Sequence, residues 1–185
     1  MSYLLLDTAT TSKYQLHARL IHLAYIQTDE NGQIIHQQCN LIRPDGFQID
    51  NADVHGISQD KAMQQGDTAA DVLRPLLEKM NDTQLLIAHN IDYAMKVLFN
   101  EVRELGWNKS YFNLLYNKPT CCTMQSSIGF CNIRDPKRDR LKFPRLSELH
   151  HKLFQRDYEL DENGHSKVYA LNDCFFELKR LNIVN

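Results

Sequence analysis

The run Leu4-Leu5-Leu6-Asp7-Thr8-Ala9-Thr10-Thr11 constrains this chain more than any other stretch. Its apolar start, Tyr3 to Asp7, predicts a short strand that ends on an acid. An acid at a strand's exit is a common way to hold a divalent cation, and a second acid two residues on would share the same face of the strand. Here that second position is Ala9, so the strand offers one carboxylate where a paired site needs two.

The rest of the first half alternates strand and turn. Leu20 to Gln27 and Gln33 to Ile42 flank Asp29-Glu30-Asn31-Gly32, whose Asn-Gly step predicts a hairpin. From Thr68 to Met80 the apolar residues Ala69, Val72, Leu73, Leu76, Leu77 and Met80 recur at helical spacing, and Leu85 to Ala88 reads as a short buried strand. A helix between strands implies a crossover, and with it a parallel pairing in a mixed sheet. A further helix is expected from about Asp92 to Leu105, ended by Gly106, with Met95, Leu98, Val102 and Leu105 facing the core. Helical segments follow at Thr123 to Phe130, Leu146 to Phe154 and Val168 to Leu181, with a loop around Asp161-Glu162-Asn163-Gly164 before the last. The expected class is α/β, a mixed sheet flanked by helices.

A chain of 185 residues with 43% apolar and 24% charged residues suits one globular domain over 1–185. The net charge of −2 gives no whole-protein attraction to phosphate backbones, so nucleic-acid contact has to come from a local basic surface. The candidate is Arg134-Asp135-Pro136-Lys137-Arg138-Asp139-Arg140-Leu141-Lys142, five basic residues around a proline; the competing reading is a solvated charged loop. Five cysteines, no leader and no apolar run approaching ~20 residues predict a reduced, cytoplasmic protein that neither crosses nor anchors in a membrane. Cys121-Cys122 with Cys131 lacks the Cys-x-x-Cys spacing of a metal cluster, so these, with Cys39 and Cys174, read as small buried apolar residues.

Several segments, in order, resemble the DnaQ-like (DEDD) 3′–5′ exonucleases, such as the proofreading subunit of bacterial DNA polymerase III. The family's first motif is Asp-x-Glu followed by Thr-Thr-Gly: Asp7, Thr8, Thr10 and Thr11 match it, with Ala9 in the Glu place and Ser12 in the Gly place. Ala88-His89-Asn90-Ile91-Asp92-Tyr93-Ala94 is similar to the second motif, a strand end followed by a helix that carries an aspartate, which would fall at Ala94. Val168-Tyr169-Ala170-Leu171-Asn172-Asp173 resembles the last motif, where an aspartate follows a histidine by five residues or a tyrosine by four. In that register Asp173 keeps the acid, Val168 takes the histidine place, and Tyr169 meets the tyrosine spacing. Asp53-Val54-His55-Gly56-Ile57-Ser58 and Phe143-Pro144-Arg145-Leu146-Ser147-Glu148-Leu149 resemble two intervening elements, so the likeness covers nearly the whole chain. It implies a ribonuclease H-like fold.

In that family four carboxylates hold two divalent ions, one activating a water and the other stabilising the leaving 3′ oxygen. Oxygen ligands suit Mg²⁺ or Mn²⁺. With Asp7 and Asp173 alone, the resemblance implies at most one weakly held ion and a loss on the order of 10³-fold or more in rate. Asp92 is a poor surrogate for the missing aspartate, because positions two apart on a helix face different ways. His165, in a polar loop and expected to be exposed, is a possible replacement base; Tyr169 reads equally as a water-positioning group and as a packed helix aromatic. His89 reads as a ligand or, more simply, as a histidine that fixes the strand-to-helix turn. His55 reads as a group that stacks on or bonds to a terminal nucleotide.

Three functions follow. One is an exonuclease domain for single-stranded DNA or RNA 3′ ends, present in a crippled form. Another is a non-catalytic relative that keeps a groove around Thr8, Thr10, Thr11, His55, His89 and Asn90 to bind such an end or a protein partner, a polymerase or another complex. The third is a scaffold with a vestigial site.

Overall fold

This computed structural model describes residues 1–14, 17–159 and 164–184. Its elements in chain order are β1 (Ser2–Thr10), β2 (Leu20–Asp29), β3 (Ile34–Leu41), α1 (Ala52–His55), α2 (Gln59–Gln65), α3 (Ala69–Asp82), β4 (Leu85–Ala88), α4 (Ile91–Glu104), α5 (Lys109–Asn117), β5 (Thr120–Cys122), α6 (Thr123–Ser126), α7 (Ile128–Cys131), α8 (Leu146–Phe154) and α9 (Ser166–Arg180). The strands form one sheet in the order β3-β2-β1-β4-β5, antiparallel from β3 to β1 and parallel from β1 to β5. A mixed sheet is what the strand-helix-strand crossover through α3 required.

The middle position of β1 explains its leucines. Leu4, Leu5 and Leu6 are 0%, 0% and 1% exposed, because helices cover both faces of the sheet. Leu4 and Leu6 pack with Leu73 and Leu76 of α3 and Leu98 and Val102 of α4. Leu5 packs on the opposite face with Leu171, Phe175 and Leu178 of α9 and Leu149 of α8. Since alternate strand residues share a face, Asp7 and Ala9 continue the Leu5 side, toward the start of α9.

The β2–β3 hairpin forms where Asn31-Gly32 placed it. The Asp29 carboxylate accepts from the Asn31 and Gln33 N–H groups, both at 2.9 Å. Gly32 has φ +89, and a Cβ there would lie 2.9 Å from a ring carbon of Phe176, so glycine is needed both for the turn and for the approach of α9. Gly106, at φ +63, closes the α4 segment as its position implied. The expected helix over 123–130 is split at Ser127 into α6 and α7, and α9 begins two residues before Val168. The short elements α1, α2 and β5 and the helix α5 were not anticipated.

The loop expected around residues 161–164 lies outside the described residues except for Gly164. The basic stretch is an ordered turn: Arg134 and Leu141 form an antiparallel bridge, and the Asp135 N–H donates to the Arg140 carbonyl at 2.9 Å. No helix among the described residues is long and apolar enough to cross a membrane.

Candidate functional site

Asp7 does not end β1 as expected but lies three residues before its end, opposite Ala24 of β2, with its side chain 27% exposed. Burial pushes its carboxyl above the usual aspartate range, against the pull of the Lys167 ammonium and a hydrogen bond from the Thr8 N–H. The Lys167 Nζ lies 3.9 Å from Asp7 Oδ2 and is half exposed. Lys167 is in the first turn of α9, where the helix dipole disfavours a cation, so Asp7 is the counter-charge that offsets an otherwise unfavourable placement.

Two hollows meet at this pair. One of about 370 Å³ is lined by Asp7, Ala9, His22, Cys39, Lys61 and Lys167, among others. A second, about 540 Å³, runs over Thr8, Thr10, Thr11, Lys13, Tyr14 and Asn51. Ala9, His55 and Lys167 line both. The entry to α9 closes over the first: Gly164, φ +78, comes so near β2 and β3 that a Cβ there would lie 3.0 Å from both Cys39 Sγ and His22 Nε2. Those two atoms are themselves 3.0 Å apart. Burial, with Lys167 nearby, pulls His22 down to about 4, so its ring is neutral at pH 7. Cys39 is therefore part of the site wall and more than a small apolar filler.

The threonines brace the strand end. Thr10 Oγ1 bonds the Ser12 carbonyl at 2.9 Å and the Tyr93 hydroxyl of α4, while Asn51 Nδ2 donates to the Thr10 carbonyl at 2.9 Å. Thr11 Oγ1 accepts from the Arg19 N–H at 3.1 Å. Thr8 is half-buried and lines the second hollow. His55 Nδ1 accepts from the Ile57 N–H at 3.1 Å, which fixes the proton on Nε2, 3.2 Å from Asn51 Oδ1. Its pKa is lowered, by burial first and then by Lys167.

His89 is a fastener. Its Nε2 donates to the Pro144 carbonyl at 2.9 Å and its Nδ1 accepts from Thr123 Oγ1 at 3.0 Å, which ties the β4–α4 turn to α6 and to the segment entering α8. Asn90 follows at φ +99 and caps α4 through its carbonyl, which accepts from the Ala94 N–H at 3.2 Å. Neither residue lines either hollow beside Asp7. Ala94 is 4% exposed and packs in the core with Val97 and Leu98, an apolar position that offers no ligand. Asp92 accepts from Gln125 Nε2 at 2.8 Å on the surface, in agreement with its rejection as a surrogate.

The C-terminal motif is placed differently from the expectation. Asp173 is exposed and lines an adjoining hollow with His150, Arg156, Tyr158 and Tyr169, which shares Ser166 with the first; partial burial raises its pKa against the pull of His150 and Arg156. A helix rises ~1.5 Å per residue, so Asp173 lies roughly 9 Å further along α9 than Lys167, the residue that faces Asp7. Val168, one step round from Lys167, is fully buried in the apolar layer beneath α9 and occupies no base position. Tyr169 donates its hydroxyl to Gln37 Oε1 at 2.8 Å on β3 and so is committed away from Asp7. His165 is half-buried, its ring stacked on Tyr169 at 5.4 Å, in place of the exposed position expected.

Lys167, Lys61, His22 and Cys39 were not picked out from the sequence. Among the described residues no three His, Cys, Asp or Glu side chains converge as a metal-holding group. One carboxylate with an ammonium beside it is a donor set that does not fit two divalent cations.

The sheet order, with its parallel half and helices on both faces, is a ribonuclease H-like fold, and it is the fold of exonuclease I. A product-bound structure of exonuclease I superposes with a TM-score of 0.79 at 14% identity, over 98% of this chain and 44% of that one. A complex of exonuclease I with the C-terminal segment of SSB gives 0.79 at 15%, over 97% and 41%. E. coli exonuclease I in complex with a dT13 oligonucleotide gives 0.74 at 15%, over 97% and 40%. At such identity the likeness is one of fold, and the chain spans about two-fifths of the length of these proteins. No protein-family model matches the chain, and no curated protein matches it in sequence.

Proposed function

We propose that this chain is an exonuclease-fold module that holds the 3′ end of a single strand in the cleft beside Asp7 without hydrolysing it. The observation that carries this reading is the Lys167 ammonium 3.9 Å from Asp7, where two-metal hydrolysis calls for further carboxylates. In the enzymes that the sequence resembles, Mg²⁺ or Mn²⁺ supplies the activated water and the leaving-group stabilisation. Asp7 alone does not fit two such ions, and Ala9 and Ala94 add no donor. The α9 side chain paired with Asp7 is the Lys167 ammonium, while Asp173 lines the hollow of His150 and Tyr158.

What remains is a cleft suited to grip. Thr8, Thr11, Asn51 and His55 present hydroxyl, amide and ring groups to the second hollow, and Lys13 lies 5.3 Å from the ring centre of Tyr14 beside it. Tyr14 is 69% exposed, a ready stacking surface for a base, and base–aromatic stacking contributes about 1–3 kcal/mol without sequence preference. The basic turn Arg134–Lys142 leads into Pro144, which His89 anchors beside α4, and Phe143 between them is 54% exposed. The wider assembly, a polymerase complex or a single-strand-binding protein, belongs to the same reading, since an exonuclease I structure includes an SSB segment.

The test is equilibrium binding by fluorescence anisotropy, with a 5′-labelled single strand compared with a blunt duplex over a salt series. The expected result is a preference for the single strand and an affinity that falls as salt rises. Equal binding to both, or none to either, overturns the reading.

A further inference from the structure

We infer that Lys167 takes the place of a metal ion: its ammonium receives a phosphate group of the bound strand directly, so the site binds nucleic acid without any divalent cation. The inference rests on the reading of the cleft as a single-strand site. Lys167 lines both hollows, so it stands where a phosphate between two subsites would lie.

The geometry of Lys167 shows spare binding capacity. At 3.9 Å its contact with Asp7 is an ion pair too long for a hydrogen bond, and it is the one salt bridge of Lys167 among the described residues. A lysine ammonium carries three N–H donors, and this one is half exposed at the rim of the two hollows. Among the described residues the side chain is therefore drawn to Asp7 by charge and makes no hydrogen bond with its ammonium. A phosphate oxygen offers the shorter, charge-assisted bond that the carboxylate does not make.

The wall of the first hollow supports an anion, while the second balances Lys13 and Lys167 against Asp50 and Asp53. The first hollow carries Lys61 and Lys167 against the single carboxylate of Asp7, so its formal charge is positive once the neutral His22 is set aside. In a two-metal site the carboxylates attract the ions and the ions attract the phosphate. Here the cation belongs to the protein, and Asp7 competes with the phosphate for it. The two arrangements give opposite signs for the loss of Asp7: in a metal site it releases the strand, and in this one it frees Lys167 and tightens binding.

The experiment measures the affinity of a 5′-labelled oligothymidylate for the whole chain, once with Mg²⁺ and once with excess EDTA. It is repeated with Lys167→Gln, Lys167→Arg and Asp7→Asn. The expected outcome is the same affinity with and without Mg²⁺, a loss of about tenfold in Lys167→Gln, most of the affinity kept in Lys167→Arg, and tighter binding by Asp7→Asn. Affinity that collapses in EDTA, Lys167→Gln binding like the unmodified chain, or weaker binding by Asp7→Asn each overturns the inference while the single-strand reading stands. No binding by any form sinks both. Lys167 is half exposed, so unchanged melting of Lys167→Gln is the folding control.

Discussion

Two ion pairs in this protein are built to opposite specifications. Glu101 on α4 is 1% exposed; it takes two bonds from the Arg19 guanidinium, at 3.0 and 3.2 Å, and a third from the Leu20 N–H at 2.7 Å. Arg19 also lies 4.5 Å from the centre of the Phe47 ring. Asp7 and Lys167 share one contact at 3.9 Å, and both side chains reach solvent. In the first pair both oxygens of the buried Glu101 carboxylate are bonded within the protein, and the pair ties the start of β2 to α4. The second is left incomplete at the edge of a cleft. A pair that is closed on itself holds a fold together, while a pair that stays open has chemistry to offer a ligand.

Substitutions on each side test that contrast. The largest effect is expected from Glu101→Ala, which strips a buried acceptor from Arg19 and Leu20 and is predicted to cost about 3–5 kcal/mol in denaturant unfolding. A cost below about 1 kcal/mol would remove the distinction between the pairs. A pH effect comes next. Because His22 is held near 4 in the folded protein and an unfolded histidine titrates near 6.5, the unfolded chain binds the extra proton first; stability is full above about 6.5 and is lost as pH falls toward 4. In His22→Gln that part of the acid slope should flatten, as read by melting temperature across the window.

Smaller still is Asp7→Asn. A carboxyl raised above its ordinary 3.8 is a penalty on the folded state that is present above the raised value and absent below 3.8. The substitution is therefore predicted to raise the melting temperature at pH 7 and to make no difference near pH 3, in scans of both proteins at each pH. Lys167→Gln should change stability by less than about 0.5 kcal/mol, the worth of a solvent-screened pair, and register in binding alone.

The features legible from sequence were those with a local cause. The leucines of β1, the Asn-Gly hairpin, the α3–β4 crossover and the reach of α8 each follow from a run, a turn residue or a period. His89 was legible in part: one reading made it a turn-fixing histidine, which its bonds to Thr123 and Pro144 match, and the other put it in the binding groove, whose hollows it does not line. The C-terminal motif was harder because its two halves do not coincide: His165 has no acid five residues on, and Asp173 has no histidine five residues before it. Helical periodicity says which residues share a stripe, but which turn of α9 meets Asp7 depends on how the helix enters, past the close approach of Gly164 to Cys39 and His22. Lys167 was hidden for the same reason. β5, at three residues, is too short to show any period.

Strand cleavage tests the central claim most directly. A 5′-labelled single strand is incubated with the unmodified chain in Mg²⁺ and in the more permissive Mn²⁺, beside Asp7→Asn, and strand length is followed on a denaturing gel. The account predicts a strand of unchanged length in every lane. Shortening from the 3′ end by the unmodified chain that disappears in Asp7→Asn would contradict it, and would mean that one carboxylate beside a lysine still supports hydrolysis.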